Sequence, residues 1–189
     1  QRDLEQVHIC LGTKGISITD PRRYAFSLLN TILGGNMSSR LFQKIRERKG
    51  LAYSVYSFIS SYEDTGMFGA YAGVSPDNAN ETTALIVNEL RKLKTDRVDA
   101  AELIDAKNFT KGNLLLASES VDNQMVRLAQ NEINFGHHIP LQEVVDRVES
   151  ICEDDIIDLA GTLFQSDQLA LTTLGPLTDK NQFEKILTV

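Results

Sequence analysis

The sequence predicts an α+β fold: a mostly antiparallel or mixed β-sheet with helices packed on one face. Three observations predict it. Two β-rich, aromatic runs, residues 51–61 and 66–75, are joined by Tyr62-Glu63-Asp64-Thr65, a polar connection of hairpin length. Alternating β-formers open and close the chain, at 5–12 and 168–174. Between the last of these and the hairpin, apolar residues recur at helical spacing almost without interruption. Hairpin-linked strands beside a block of helices are the pattern of an α+β domain.

Each element has its own signal. Residues 5–12 (EQVHICLG) alternate as a strand does. Asp20-Pro21 reads as a helix start, with Asp20 as N-cap and Pro21 in the first helical position. Ala25, Leu28, Leu29 and Ile32 give that helix its apolar stripe, and Gly34-Gly35 end it. A second helix is expected from about Ser38 to Lys49. Ser38 or Ser39 would cap it, Leu41, Phe42 and Ile45 would face the core, and Gly50 would terminate it. On the second hairpin strand, Gly69 and Gly73 thin one face, so a close approach to the backbone is expected there.

The later helices follow from their stripes. These are Ile86, Leu90 and Leu93, then Leu103, Ala106, Thr110, Leu114 and Ala117, then Val121, Met125, Leu128 and Phe135. Leu141, Val144, Val145 and Val148 make a fourth, and Ile156, Ala160 and Leu163 a fifth. Asp99 with Glu102 has the spacing of a capping box. A tail helix is expected over 180–187. The expected order is β α α β β α α α α α β, with no break dividing residues 1–189 into two domains.

Composition narrows the function. The 189 residues are 42% hydrophobic, enough for a substantial core. Net charge is −7, which argues against a nucleic-acid or anionic-membrane partner, because both demand a basic face. No apolar run reaches the roughly 20 residues of a membrane span. The chain opens at Gln1 in charged, strand-like sequence, as expected of a fragment of something longer or a matured product. Cys10 and Cys152 are too few and too distant for a disulfide framework and are expected to be buried thiols. Few cysteines and no visible leader favour the cytoplasm, with the compartment itself left open.

Metal and nucleophile chemistry find little support. Of the three histidines, none are spaced to share a helix face, and no HxxEH, HxxxH or CxxC occurs. His8 is expected to be a satisfied core histidine, and His137 and His138 to be solvated. No Gly-x-Ser-x-Gly occurs, and Gly34-Gly35 lacks the Lys-Ser/Thr of a phosphate loop. What remains is Arg46 and Tyr53, seven residues apart across a tight helix-to-strand junction. Side by side they would offer a guanidinium and a phenol O–H, all donors, suited to a peptide carbonyl or a developing oxyanion. On chemistry alone the plainer outcome stays open: Arg46 pairs with an acid and Tyr53 packs in the sheet.

At these residues the chain resembles a known family. The run LLNTILGGNMSSRLFQKIRERKGLAYSVYSF is similar to the C-terminal half of the M16 (pitrilysin-like) zinc peptidases, nearest to the bacterial and mitochondrial-processing-peptidase-like subgroup. EQVHICLG, GVSPDNANE, GNLLLASES, NFGHHIPLQEVVDRVE and LALTTLGP extend the likeness over nearly the whole chain. The resemblance implies a clamshell of two similar α+β halves. The N-terminal half would carry HxxEH and zinc; the C-terminal half, without metal, would supply an Arg and a Tyr to the catalytic chamber. Those two map to Arg46 and Tyr53, with Arg48 the competing arginine.

The resemblance thus implies the non-zinc half of a zinc-dependent endopeptidase, inactive alone. Its partners would be a zinc-bearing domain or subunit and an extended peptide, and the fragment by itself would self-associate or expose a sizeable patch. The alternative is a non-catalytic peptide-binding or scaffold subunit. No cofactor is expected in these residues.

Overall fold

A computed structural model of the chain describes residues 4–177 and 182–189. Its sheet is built from β1 (Val7–Lys14), β2 (Ala52–Ser61), β3 (Gly66–Val74) and β4 (Ala170–Leu174). All pairings are antiparallel and the strand order is β2-β3-β1-β4. β2 and β3 are the hairpin. β1 lies against β3, and β4 returns from the helical block to pair with β1.

Strand alternation sorts the two faces of the sheet. Val7, Ile9 and Leu11 of β1 and Phe68, Ala70, Ala72 and Val74 of β3 point into the core. Against them lie α1 (Arg23–Leu33) and α2 (Ala79–Thr95), and α6 (Glu153–Leu163) packs on both helices. One hydrophobic cluster joins these elements, with Phe26, Phe68 and Phe164 in ring contact at its centre. The opposite face carries His8, Cys10, Tyr56, Phe58 and Tyr71. His8 is therefore not a core residue. It is half-exposed on the outer face, where its Nδ1 is hydrogen-bonded to the Tyr71 hydroxyl at 2.8 Å.

Cys10 and Cys152 are both exposed, not buried. A strand reads the same whichever way its alternation is phased, and Cys10 falls on the outer phase. At Gly69 the close approach is made by a neighbour, not a ligand: a Cβ there would come within 2.4 Å of the cross-strand Phe58 ring.

Some helix ends differ from expectation. Asp20 does accept a backbone hydrogen bond, from Arg22 N at 2.8 Å, but it caps a turn, and regular helix begins at Arg23. Neither Ser38 nor Ser39 makes a side-chain cap bond to the helix that follows, among the described residues. Asn36 organises that loop, accepting from Ser38 N through Oδ1 and from the Ser39 hydroxyl through its carbonyl. Asp99 caps α3 (Ala100–Ser118) as expected, but the capping box is not closed, because Glu102 is bound to Arg40 instead. Of the expected tail helix, residues 180 and 181 lie outside the described residues, and 182–186 form turns.

The largest departure concerns the helical hairpin of α3 and α4 (Val121–Phe135), which precedes α5 (Leu141–Ser150). Of its expected stripes only Leu103 and Ala106 are buried, while Val121, Met125 and Leu128 are exposed. Helical periodicity reports that an apolar face exists; it says nothing of what covers it.

Candidate functional site

The helix after Gly34-Gly35 is a wide one. Phe42–Arg48 is π-helical, a rare form that recurs at functional sites. Its bed is firm: Leu41 and Ile45 are fully buried. It ends at Gly50, whose φ of +62° only glycine adopts freely. Gly50 N–H donates to Arg46 O at 3.0 Å, and Leu51 N–H reaches back to Ile45 O at 2.9 Å. These bonds turn the chain straight into β2, which hydrogen-bonds beside α1 through Ser57 N–H to Gly34 O. Gly34 permits that approach, since a Cβ would sit 2.3 Å from Ser57 N.

β2 then departs from regular pairing at once. Ala52 pairs with Val74 and Ser54 with Gly73, so Tyr53 is the extra residue of a β-bulge. A bulge bends the strand and re-aims a side chain. Here it turns Tyr53 outward, 78% exposed, between the buried Ala52 and Val55.

Arg46 meets it there. The guanidinium carbon lies 5.6 Å from the centre of the Tyr53 ring and 4.9 Å from that of Phe42. Two aromatic faces thus orient an exposed cation, each such contact being worth about 0.5–1 kcal/mol at the surface. Phe42 was expected in the core. It is half-exposed instead, because the wide turn brings it beneath Arg46. Among the described residues neither the Arg46 guanidinium nor the Tyr53 hydroxyl makes a hydrogen bond or ion pair. Both sets of donors face solvent uncommitted. Arg48 points elsewhere: it lines a cavity of about 420 Å³ with Arg40, Gln43, Lys44 and Asp96, away from Tyr53.

The outer sheet face adds residues that sequence reasoning did not single out. Tyr56 and Tyr71 stack with ring centres 5.0 Å apart, and Phe58 follows at 6.2 Å from Tyr56. Burial pushes the Tyr71 hydroxyl above its ordinary pKa, with Tyr56 adding to the effect. Their aromatic character was visible, but their common face depends on strand register, which the sequence did not reveal.

Comparison with known proteins decides the family. Residues 1–109 match the family model described as the peptidase M16 inactive domain. The chain belongs to the M16 peptidase family. Its M16 domain is 41% identical over 93% of its length to an uncharacterized zinc protease of Bacillus subtilis, covering 43% of that protein. It is 37% identical to another of Streptomyces coelicolor, over 95% of the chain and 39% of that protein. The chain therefore spans about two-fifths of the length of these curated relatives.

Solved structures agree on the fold. A protease from Helicobacter pylori superposes with a TM-score of 0.85 at 23% identity, over 93% of this chain and 42% of its own. An M16 inactive domain from Pseudomonas fluorescens gives 0.83 at 22%, over 94% and 42%. The α+β half-clamshell architecture of M16 C-terminal domains is thus the architecture of this chain.

The names of the relatives imply zinc. The described residues of this M16 domain offer no cluster that fits that metal: among them no group of three His, Cys, Asp or Glu converges as a set of ligands.

Proposed function

We propose that this M16 domain is the substrate-orienting, non-zinc half of a zinc-dependent endopeptidase. The observation that supports this reading is the pairing of Arg46 and Tyr53: exposed, stacked on one another, and with every donor uncommitted among the described residues. A structural arginine would be expected to hold an acid, as Arg40 and Lys44 do close by.

In this reading the Tyr53 O–H donates to the oxygen of the scissile carbonyl, more strongly as negative charge builds there. The Arg46 fork donates to a neighbouring carbonyl of the extended peptide and fixes its direction. Such donors act in a closed chamber, where water no longer competes for them. The second wall of that chamber, and the metal chemistry, belong to a zinc-bearing domain or subunit. Tyr53 is well suited to the task, since a bulge holds its backbone out of the ladder and its ring rests on a cation.

The test is kinetic. With the zinc-bearing half present, a quenched peptide should be cleaved by the parent. Tyr53→Phe should lower kcat by about 10²–10³, the cost of removing one oxyanion donor elsewhere. Arg46→Met should mainly raise KM and scramble the cleavage position. Unchanged turnover by Tyr53→Phe would overturn the role of Tyr53.

A further inference from the structure

We propose that Glu89, a buried carboxylate on α2, is a positioning residue that sets the direction of Arg46 through Lys44. The inference rests on the reading of Arg46 as a substrate-binding group, and its test separates the two.

The cations on and beside the site helix fall into two sets. Arg40, Lys44 and Lys49 each hold a carboxylate, of Glu102 on α3 or of Glu89 and Glu81 on α2. Arg46 and Arg48 hold none among the described residues. Within the first set only one partner is buried: Glu89 is 1% exposed. The Lys44 ammonium donates to its Oε1 at 2.6 Å, with the Lys92 ammonium at 3.7 Å. Its Oε2 is buried and, among the described residues, has no hydrogen-bond partner.

Stability does not account for a carboxylate in this place. Glu89 sits on the same face of α2 as Ile86, Leu90 and Leu93, all buried. Replacing a buried ion pair by well-packed apolar residues is often neutral or stabilising, and leaving one oxygen unbonded worsens the balance. What the charge supplies is geometry. Leu41 and Ile45 seat the site helix in the core, the bidentate Arg40–Glu102 pair holds its start, and the directional contact of its middle is the Lys44–Glu89 pair. Of the ion pairs on this segment, Lys44–Glu89 is the one with a buried partner and the one nearest Arg46 along the chain. Lys44 lies two residues from Arg46, roughly half a turn away on the helix. Tethering one side therefore sets where the other points, which is onto Tyr53. Lys49–Glu81, with both side chains about half-exposed, is too solvated to do the same.

The experiment uses the full-length protein with isotope-labelled arginine. The Arg46 Nε–H resonance, displaced by the Phe42 and Tyr53 rings, reports the guanidinium position without any substrate. Glu89→Gln, and the double variant Glu89→Leu with Lys44→Met, should move that resonance toward the position of an unstacked arginine. The double variant should melt close to the parent. Peptide cleavage should follow the pattern of Arg46→Met, with KM raised about tenfold and the cleavage position scrambled, as displacing a substrate-binding group costs. Lys49→Met should change neither readout.

If the double variant is folded and keeps the parent Arg46 resonance, the proposal fails. If the resonance moves while cleavage does not change, Glu89 positions Arg46, and the substrate role of Arg46 is what fails. The double variant keeps the test decisive should Glu89→Gln, which leaves the Lys44 ammonium without its counter-charge, fold poorly.

Discussion

At the scale of single residues, the site depends on one backbone angle. Gly50 has nothing within 4 Å of a would-be Cβ, so space does not require glycine there. Its φ of +62° does, because an L side chain in that region costs about 1–2 kcal/mol. Gly50→Ala should therefore destabilise by about that amount in chemical denaturation. It should also loosen the Arg46–Tyr53 contact, since Gly50 N–H and the next N–H, of Leu51, make the two hydrogen bonds that close the wide turn. Gly112, mid-helix with open space around it, is the control: Gly112→Ala should stabilise by about 0.5–1 kcal/mol. Equal losses at both positions would mean that Gly50 has no special part. That Arg46 and Tyr53 could stand side by side was readable, because a cation seven residues ahead of a phenol spans the helix stop at Gly50. Residue chemistry alone left open that Arg46 pairs with an acid and Tyr53 packs in the sheet. Phe42 and Glu89 were not readable. A half-exposed phenylalanine and a glutamate inside an apolar stripe look respectively like core and solvated face until the neighbouring elements are in place.

At the scale of elements, the order of strands and helices was readable as far as β4, because each has its own period and punctuation, while the expected tail helix was not met among the described residues. What could not be read was the partner of each element. Strand order, the bulge at Tyr53 and the outer placement of His8 and Cys10 all come from pairing register, and register is a property of two strands. The start of α1 shows the same limit and carries a prediction of its own. The Asp20 carboxylate is held below its ordinary pKa chiefly by the hydrogen bond from the Arg22 side chain, against some opposing desolvation. A depressed folded-state value favours the native chain at pH above the unfolded value of about 3.9. That contribution is lost as pH falls through the lower folded value. Asp20→Asn should thus lower stability at pH 7 and flatten the acid limb of the stability curve below about pH 4. Identical acid limbs for parent and variant would show that the turn does not need the charge.

At the scale of the whole molecule, the unusual feature is apolar surface on the α3–α4 hairpin. Val121, Met125 and Leu128 recur at i, i+4 and i+7 and are 78%, 62% and 48% exposed. Leu116 and Ile133 are exposed as well, so apolar side chains reach solvent on more than one side of the hairpin. A contiguous apolar patch of more than a few hundred Å² marks an association surface, and the i, i+4, i+7 row on α4 is where such a patch would form. With the chain spanning about two-fifths of its curated relatives, the occupant that fits the proposed function is the zinc-bearing half. The chain on its own, at 21.0 kDa, should then elute as an oligomer and bind a dye specific for apolar surface. Replacing Val121, Met125 and Leu128 together by Gln should restore a monomer and abolish most of the dye binding. Because these side chains already stand in solvent, each change should alter stability by no more than about 0.5 kcal/mol. In the presence of the zinc-bearing half the same triple variant should bind more weakly and cleave peptide more slowly, with Arg46 and Tyr53 untouched. A parent chain that stays monomeric at high concentration and binds no dye would show that this face needs no cover.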